Sequence, residues 1–319
     1  MYSYRFLSTD DGENNIFYVI LLLLLNRVLA MPELPEVETV RVQLWNKLKG
    51  KKISAVDILH PKSVSRDSSF ANRLIGLKIS DIDRIGKLLI FKFSGQKNLF
   101  MLAHLKMTGQ FFFTDKAGRL SGGGGHTATH RDTAKFPGRP TRVAIHFAGG
   151  STLYFNDMRL FGYLRLTDEE GLSATMLKFG PEPIADNFST EDFMSKLAKK
   201  NALIKAVLLD QSFVAGLGNI YVDEALFKAK IRPDRRANTL KKSESARLAK
   251  ASKEVLEEAI KNGGTTFQSF ADAEGQAGGH SSHLLVFARQ GLPCYRCKSI
   301  IEKTRVAGRG THFCTKCQK

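Results

Sequence analysis

Beyond four residues the chain has no cysteine, which excludes a disulfide framework spread through it. All four lie near the C-terminal end, as Cys294-x-x-Cys297 and Cys314-x-x-Cys317, with 16 residues between the inner pair. Disulfides could use them, but two CxxC pairs at ribbon spacing favour one tetrahedral Zn2+. Four thiolates leave no open position for water, so such a metal is structural, and the short Cys294–Lys319 segment has too little core to fold without it. Thiolates kept free for a metal point to a reducing compartment, the cytoplasm. The chain also lacks a long apolar run. The longest candidate, Ile16–Leu25, is unbroken for ten residues, against about 20 needed to span a bilayer. It reads badly as a secretory signal, because Asp10, Asp11 and Glu13 precede it with only Arg5. Residues 1–31 are therefore expected to lie outside the fold, as an extension missing from the working protein. Acidic residues are scarce too: 31 Asp and Glu face 48 Lys and Arg, a net charge of +17. That excess favours a polyanion such as nucleic acid, although a membrane surface or plain solubility would also account for it.

In 319 residues there is room for more than one domain. From Glu33, apolar residues at Val37, Val40, Leu44 and Leu48 have helical spacing, with Pro35 in the first turn and Gly50 at the stop. Short β-branched or aromatic runs follow at 53–59, 77–82, 87–93, 99–105, 110–114, 142–147 and 152–155, separated by turn residues. The pattern predicts an α+β protein: a mostly antiparallel β-sandwich behind one helix over residues 32–166. Residues 115–140, with glycine at 122–125, read as a surface loop or insertion. A linker is expected over 167–183. Helical runs at 190–200, 203–210, 221–228 and 243–262 form a second domain, 184–283, ending in a Gly, Ala and Ser-rich loop; the cysteine segment, 284–319, closes the chain. There are no internal repeats.

The sharpest motif is Met31-Pro32-Glu33-Leu34-Pro35-Glu36-Val37-Glu38-Thr39-Val40. With Arg84-Ile85-Gly86-Lys87, then Leu209-Asp210-Gln211-Ser212 running into Gly216-Leu217-Gly218-Asn219-Ile220-Tyr221, and the terminal ribbon containing Gly308-Arg309-Gly310, it resembles the formamidopyrimidine-DNA glycosylase and endonuclease VIII family. The blocks cover nearly all of residues 32–319, and Leu34 resembles the formamidopyrimidine branch. The resemblance implies a helix-two-turn-helix domain after the sandwich and a zinc-ribbon hairpin presenting Arg309. It also implies a base-excision-repair glycosylase and abasic-site lyase that removes oxidised purines from duplex DNA and acts as a monomer without a membrane partner. Pro32 and Glu33 match the family's catalytic residues, and Lys87, Asn219 and Arg309 match its grip on the phosphates around the lesion. Met107, Arg159 and Phe161 match the wedge that fills the hole left by an everted base. Lys205 and Arg142 are further candidates for DNA contact. Leu160 stands where the family often has a second Arg, and Arg142 where many members carry a His.

A free N-terminal proline is a secondary amine with a pKa near 8, so a useful fraction is unprotonated at neutral pH. Attack at the sugar C1′ would expel the base and leave an iminium, an electron sink that promotes β- and then δ-elimination of the phosphates. Glu33, one residue away, can shuttle protons to the sugar ring oxygen and the departing groups. Bland readings stand beside these. Pro32, Glu33 and Pro35 would also make an ordinary helix start, Lys87 a solvated strand-edge lysine, residues 216–219 a plain helix connection, and Met107 and Phe161 core residues. Amides before the helix at 219 could face a phosphate. Glu36 reads as a supporting carboxylate. Two other functions remain: an endonuclease VIII-like enzyme for oxidised pyrimidines, or a DNA-binding module without catalysis should Pro32 stay acylated. Residues 267–285 are long enough for a lid over an everted base, which favours purines. As numbered, Pro32 follows Met31 and its nitrogen is a tertiary amide. Removal of Met31 by methionine aminopeptidase, after translation from that residue, would free it.

Overall fold

The computed structural model describes residues 31–123, 136–265 and 279–319. Helix α1, Leu34–Leu48, leads. It is followed by β1 (Ile53–Ile58), a short helix α2 (Phe70–Leu74), β2 (Lys78–Ile85), β3 (Leu88–Ser94), β4 (Gln96–His104), β5 (Gly109–Thr114), β6 (Leu120–Gly123), β7 (Thr141–Phe147), β8 (Thr152–Asp157) and β9 (Tyr163–Thr167). These strands form two antiparallel sheets, ordered β1-β7-β8-β5-β6 and β2-β3-β4-β9. Phe91 and Met101 of the second sheet share one core with Phe111 and Phe155 of the first, and Val40, Leu44 and Leu48 of α1 close it. The expected sandwich behind one helix is what the chain builds.

Four elements went unread in the sequence, the short helix α2 among them. β6 lies in the segment taken for a loop, because its glycines carry no alternating pattern; β9 lies beyond the last strand read. The stretch taken as a linker contains helix α3, Glu169–Met176, started by the Asp168 side chain accepting from the Gly171 amide.

The helical part comprises α4 (Thr190–Ala198), α5 (Ile204–Leu209), α6 (Asn219–Lys228) and α7 (Lys242–Lys261). Its core gathers Phe193, Leu208, Leu217, Tyr221, Leu248 and Leu256, and Leu34 joins them. Helix α1 therefore has its first residue in the helical core and its later turns in the sandwich core, which sets Glu33 where the two parts meet. Arg84 reinforces the junction. Its guanidinium donates to Glu38 of α1 at 2.9 Å and to Glu182 at 2.5 and 3.1 Å.

A final hairpin, β10 (Glu302–Val306) and β11 (Arg309–Phe313), turns through Ala307 and Gly308, with φ of 51° and 74°. Two successive positive φ values match the twist of a two-residue hairpin loop. Among the described residues no helix is long and apolar enough to cross a membrane.

Candidate active site

Glu33 is 3% exposed and its carboxylate lies against the start of α6: Oε1 accepts from the Ile220 amide at 2.9 Å and Oε2 from the Tyr221 amide at 3.4 Å. Glycine is required there. A Cβ on Gly218 would run into the Glu33 carboxyl, and one on Gly216, whose φ is 98°, into the Leu34 side chain. Gln211 holds this loop, its Oε1 accepting from the Gly216 amide at 3.0 Å and its Nε2 donating to the Leu217 carbonyl at 2.8 Å. The first-turn amides of α6, at Ile220 and Tyr221, are taken by a carboxylate of the protein, which suits the positive end of a helix.

Burial pushes the Glu33 carboxyl up to about 7; Lys87 opposes the rise and Glu36 adds to it. Lys87 occupies the tight turn between β2 and β3 and donates Nζ to the Leu217 carbonyl at 3.1 Å. Burial lowers its pKa, Glu33 and Glu36 raise it, and Arg309 and Lys106 depress it further. Lys87 is thus no solvated edge residue. Pro32 is buried immediately before Glu33, while Met31 is 36% exposed. Glu36 takes the supporting place read for it. It accepts from the Glu33 amide at 2.8 Å, the Thr265 amide at 2.8 Å and the Tyr221 hydroxyl at 2.5 Å.

Asn219 opens α6 and donates Nδ2 to the Gly310 carbonyl at 3.0 Å. That bond brings the β10–β11 turn to the same place, and the exposed Arg309 stands one residue away. Pro32, Glu33, Lys87, Asn219 and Arg309, spread over nearly the whole described chain, thus converge where α1, the β2–β3 turn, the α6 start and the zinc hairpin meet.

Met107, Arg159 and Phe161 form a second cluster. The Arg159 guanidinium donates to Met107 Sδ at 3.2 Å and lies 4.7 Å from the Phe161 ring centroid. Phe161 is 48% exposed, so core packing does not account for it. The loop carrying Arg159 and Phe161 is organised by the fully buried Asp157, which accepts from the Thr108 hydroxyl, from the Arg159 amide at 3.2 Å and from the Gly162 amide at 2.7 Å. Arg142 supports the same loop, donating to the carbonyls of Asp157 at 2.6 Å and Arg139 at 3.2 Å. Two of its nitrogens are so engaged, which makes it a brace for the loop before it is a phosphate ligand.

Lys205 departs further from expectation. Its side chain is wholly buried, with Nζ donating to Asp223 at 2.6 Å and to the Gly310 carbonyl at 3.1 Å. A direct DNA contact is contradicted by that burial.

The four cysteines converge. Their Sγ atoms all lie within 4.8 Å of one another, with Cys294–Cys317 at 3.9 Å and Cys297–Cys314 at 3.4 Å. These separations are far beyond a disulfide bond and bracket the edge of about 3.8 Å expected for a zinc tetrathiolate with Zn–S near 2.3 Å. The set fits one structural Zn2+. Of the expected lid, residues 266–278 lie outside the described residues; its stem closes through a bridge between Thr265 and Gly279.

Sequence reasoning missed Asp157, Asp223 and Glu224. Glu224 is a buried carboxylate whose oxygens accept from the amides of Leu285 at 2.8 Å, Val286 at 2.9 Å and Phe287 at 2.8 Å, fixing the approach to the zinc segment. The one signal available was an acidic pair inside the otherwise apolar run of α6, at 223 and 224.

Comparison with known proteins agrees with this geometry. Residues 31–164 match the family model described as formamidopyrimidine-DNA glycosylase N-terminal domain, residues 179–271 the formamidopyrimidine-DNA glycosylase H2TH domain, and residues 291–319 a zinc finger found in FPG and IleRS. A formamidopyrimidine-DNA glycosylase of Listeria monocytogenes serovar 1/2a is 38% identical over 293 residues, covering 91% of this chain and 100% of its own length. One from Lactiplantibacillus plantarum is 41% identical over 287 residues, covering 89% and 98%. Among solved structures, the complex between the Lactococcus lactis Fpg and an abasic site containing DNA is similar at a TM-score of 0.78 and 35% identity, covering 90% of this chain and 100% of that one. The Lactococcus lactis FPG complex with a FAPY-dG containing DNA gives the same TM-score, 0.78, at 35% identity and the same coverage, 90% and 100%. The chain belongs to the formamidopyrimidine-DNA glycosylase family.

Proposed function

We propose that this protein is a base-excision-repair glycosylase and abasic-site lyase that removes oxidised purines, 8-oxoguanine and formamidopyrimidines, from duplex DNA. The observation that carries the reading is the Glu33 carboxyl, buried beside Pro32 and raised to about 7, so that near neutral pH it both gives and takes a proton. Pro32 attacks C1′ as the pair in the glycosidic bond leaves with the base, and Glu33 protonates the opening sugar at its ring oxygen. The iminium then acidifies the neighbouring C2′ proton, and the phosphates leave by β- and δ-elimination. Lys87, Asn219 and Arg309 grip the phosphates around the lesion. Met107, Arg159 and Phe161 fill the space the base vacates, because an unfilled gap costs a few kcal/mol of stacking.

This chemistry requires Pro32 to be the first residue, since an acylated proline nitrogen has no lone pair to offer. The match of the N-terminal family model from residue 31 supports that starting point. A four-thiolate zinc site suits the reducing cytoplasm, where we place the enzyme with its DNA. The test of substrate class is excision of 8-oxoguanine against thymine glycol and dihydrouracil in matched duplexes. Faster release of the purine is expected; faster release of the pyrimidines reassigns the chain to the endonuclease VIII type.

A further inference from the structure

We propose that Lys205 and Asp223 are a buried positioning pair that sets where Arg309 meets the DNA, acting through the Gly310 carbonyl. The inference rests on the reading of Asn219 and Arg309 as phosphate ligands. Lys205 and Asp223 are both fully buried and 2.6 Å apart. The remaining hydrogen bonds of both side chains converge on one short piece of β11. Lys205 Nζ donates to the Gly310 carbonyl at 3.1 Å, and Asp223 Oδ2 accepts from the His312 amide at 2.8 Å. Asn219 donates to the same Gly310 carbonyl at 3.0 Å, using its second lone pair. The buried His312 ring packs edge-on against Phe287, with centroids 4.8 Å apart.

Residues 310–312 are therefore locked to α5 and α6 by a charge pair, and Cys314 ties the same strand to the zinc site. Arg309, just before the locked piece, is exposed and makes no side-chain hydrogen bond among the described residues. A buried ion pair is a poor choice for stability alone, where well-packed apolar residues serve as well. Here its geometry holds a peptide group shared with a phosphate ligand. Lys205 cannot itself reach a phosphate without abandoning Asp223.

A double-mutant cycle between Lys205→Met and Arg309→Ala tests the coupling, read as affinity and salt dependence on a duplex carrying a tetrahydrofuran abasic analogue. Arg309→Ala should lower the salt slope by about 1, as loss of one phosphate contact does. Lys205→Met should weaken binding roughly tenfold in the parent, yet change it less than about twofold when Arg309 is already Ala, since coupled residues are not additive. The neutral pair Lys205→Met with Asp223→Asn leaves no uncompensated charge and retains an acceptor for His312. With zinc still bound it should show the same defect as Lys205→Met. Losses that multiply, with a slope lower by about 2 in the Lys205→Met, Arg309→Ala protein, would mean that Lys205 contacts phosphate itself. Wild-type binding by the zinc-loaded neutral pair, or a loss of stability with an unchanged salt slope, would overturn the positioning role. Should Arg309→Ala leave affinity and slope unchanged, the phosphate-ligand reading fails first, and this inference falls with it.

Discussion

Replacing Glu33 by Gln should abolish base excision and yet stabilise the protein, by an amount that depends on pH. In the fold the carboxyl titrates at about 7 instead of the ordinary 4.5, chiefly because burial penalises its charge. Between those values the folded protein keeps a proton that the unfolded chain has released, so stability falls as pH rises through the window. Below about 4.5 both states are protonated and Gln offers no advantage. Above 7 the native state carries the full penalty. A rise of about 2.5 pKa units at about 1.4 kcal/mol each makes it roughly 3 kcal/mol. Gln retains an oxygen for the Ile220 amide but sets an NH2 group against the Tyr221 amide, where the second carboxyl oxygen accepted, so roughly 3 kcal/mol is an upper bound. Urea unfolding followed through Trp45, the single tryptophan and a residue of α1, at pH 4.5 and pH 8 would measure it. Equal stability of the two proteins at pH 4.5 and a gain for Gln at pH 8 are expected. A gain of the same size at both values, or a loss at pH 8, would refute the argument that burial of this carboxyl dominates its environment.

Two further outcomes follow from the geometry. The chain should bind one Zn2+, and Cys297→Ser or exhaustive chelation should remove it and with it tight DNA binding; retention of both by Cys297→Ser, read by metal analysis and gel shift, would contradict the tetrathiolate. Phe161→Ala and Met107→Ala should slow excision of 8-oxoguanine about tenfold or more while largely sparing cleavage at a preformed abasic site, where no base has to be everted. Equal loss on both substrates would argue that the cluster only supports the fold.

The parts of this molecule that were legible in the sequence are those whose signal is local. Two CxxC pairs at ribbon spacing favour zinc over disulfides, and the α1 periodicity of Val37, Val40, Leu44 and Leu48 holds in the sandwich core. β6 was illegible because Gly122 and Gly123 carry no side-chain alternation; its partners on β5 define it. The Pro32-Glu33 motif stood out, but the Glu33 carboxyl binds amides 187 and 188 residues away, and nothing near residue 220 announces an acceptor. Lys205 failed for the same reason. A lysine in isolation reads as a cation for phosphate, and only the fold shows Asp223, 18 residues on, neutralising it in the interior.

The whole reaction turns on the secondary amine of Pro32 acting as the nucleophile. Borohydride reduction of the iminium during reaction with 8-oxoguanine DNA tests it most directly. A chain beginning at Pro32 should form a covalent, reduction-trapped complex, and Pro32→Gly should form less or none. The full chain with residues 1–31 retained should bind the DNA without being trapped. Efficient trapping by that full chain, its N-terminus verified by intact mass, would contradict the account and place the reacting amine elsewhere, with Lys87, whose pKa burial lowers, the first to test.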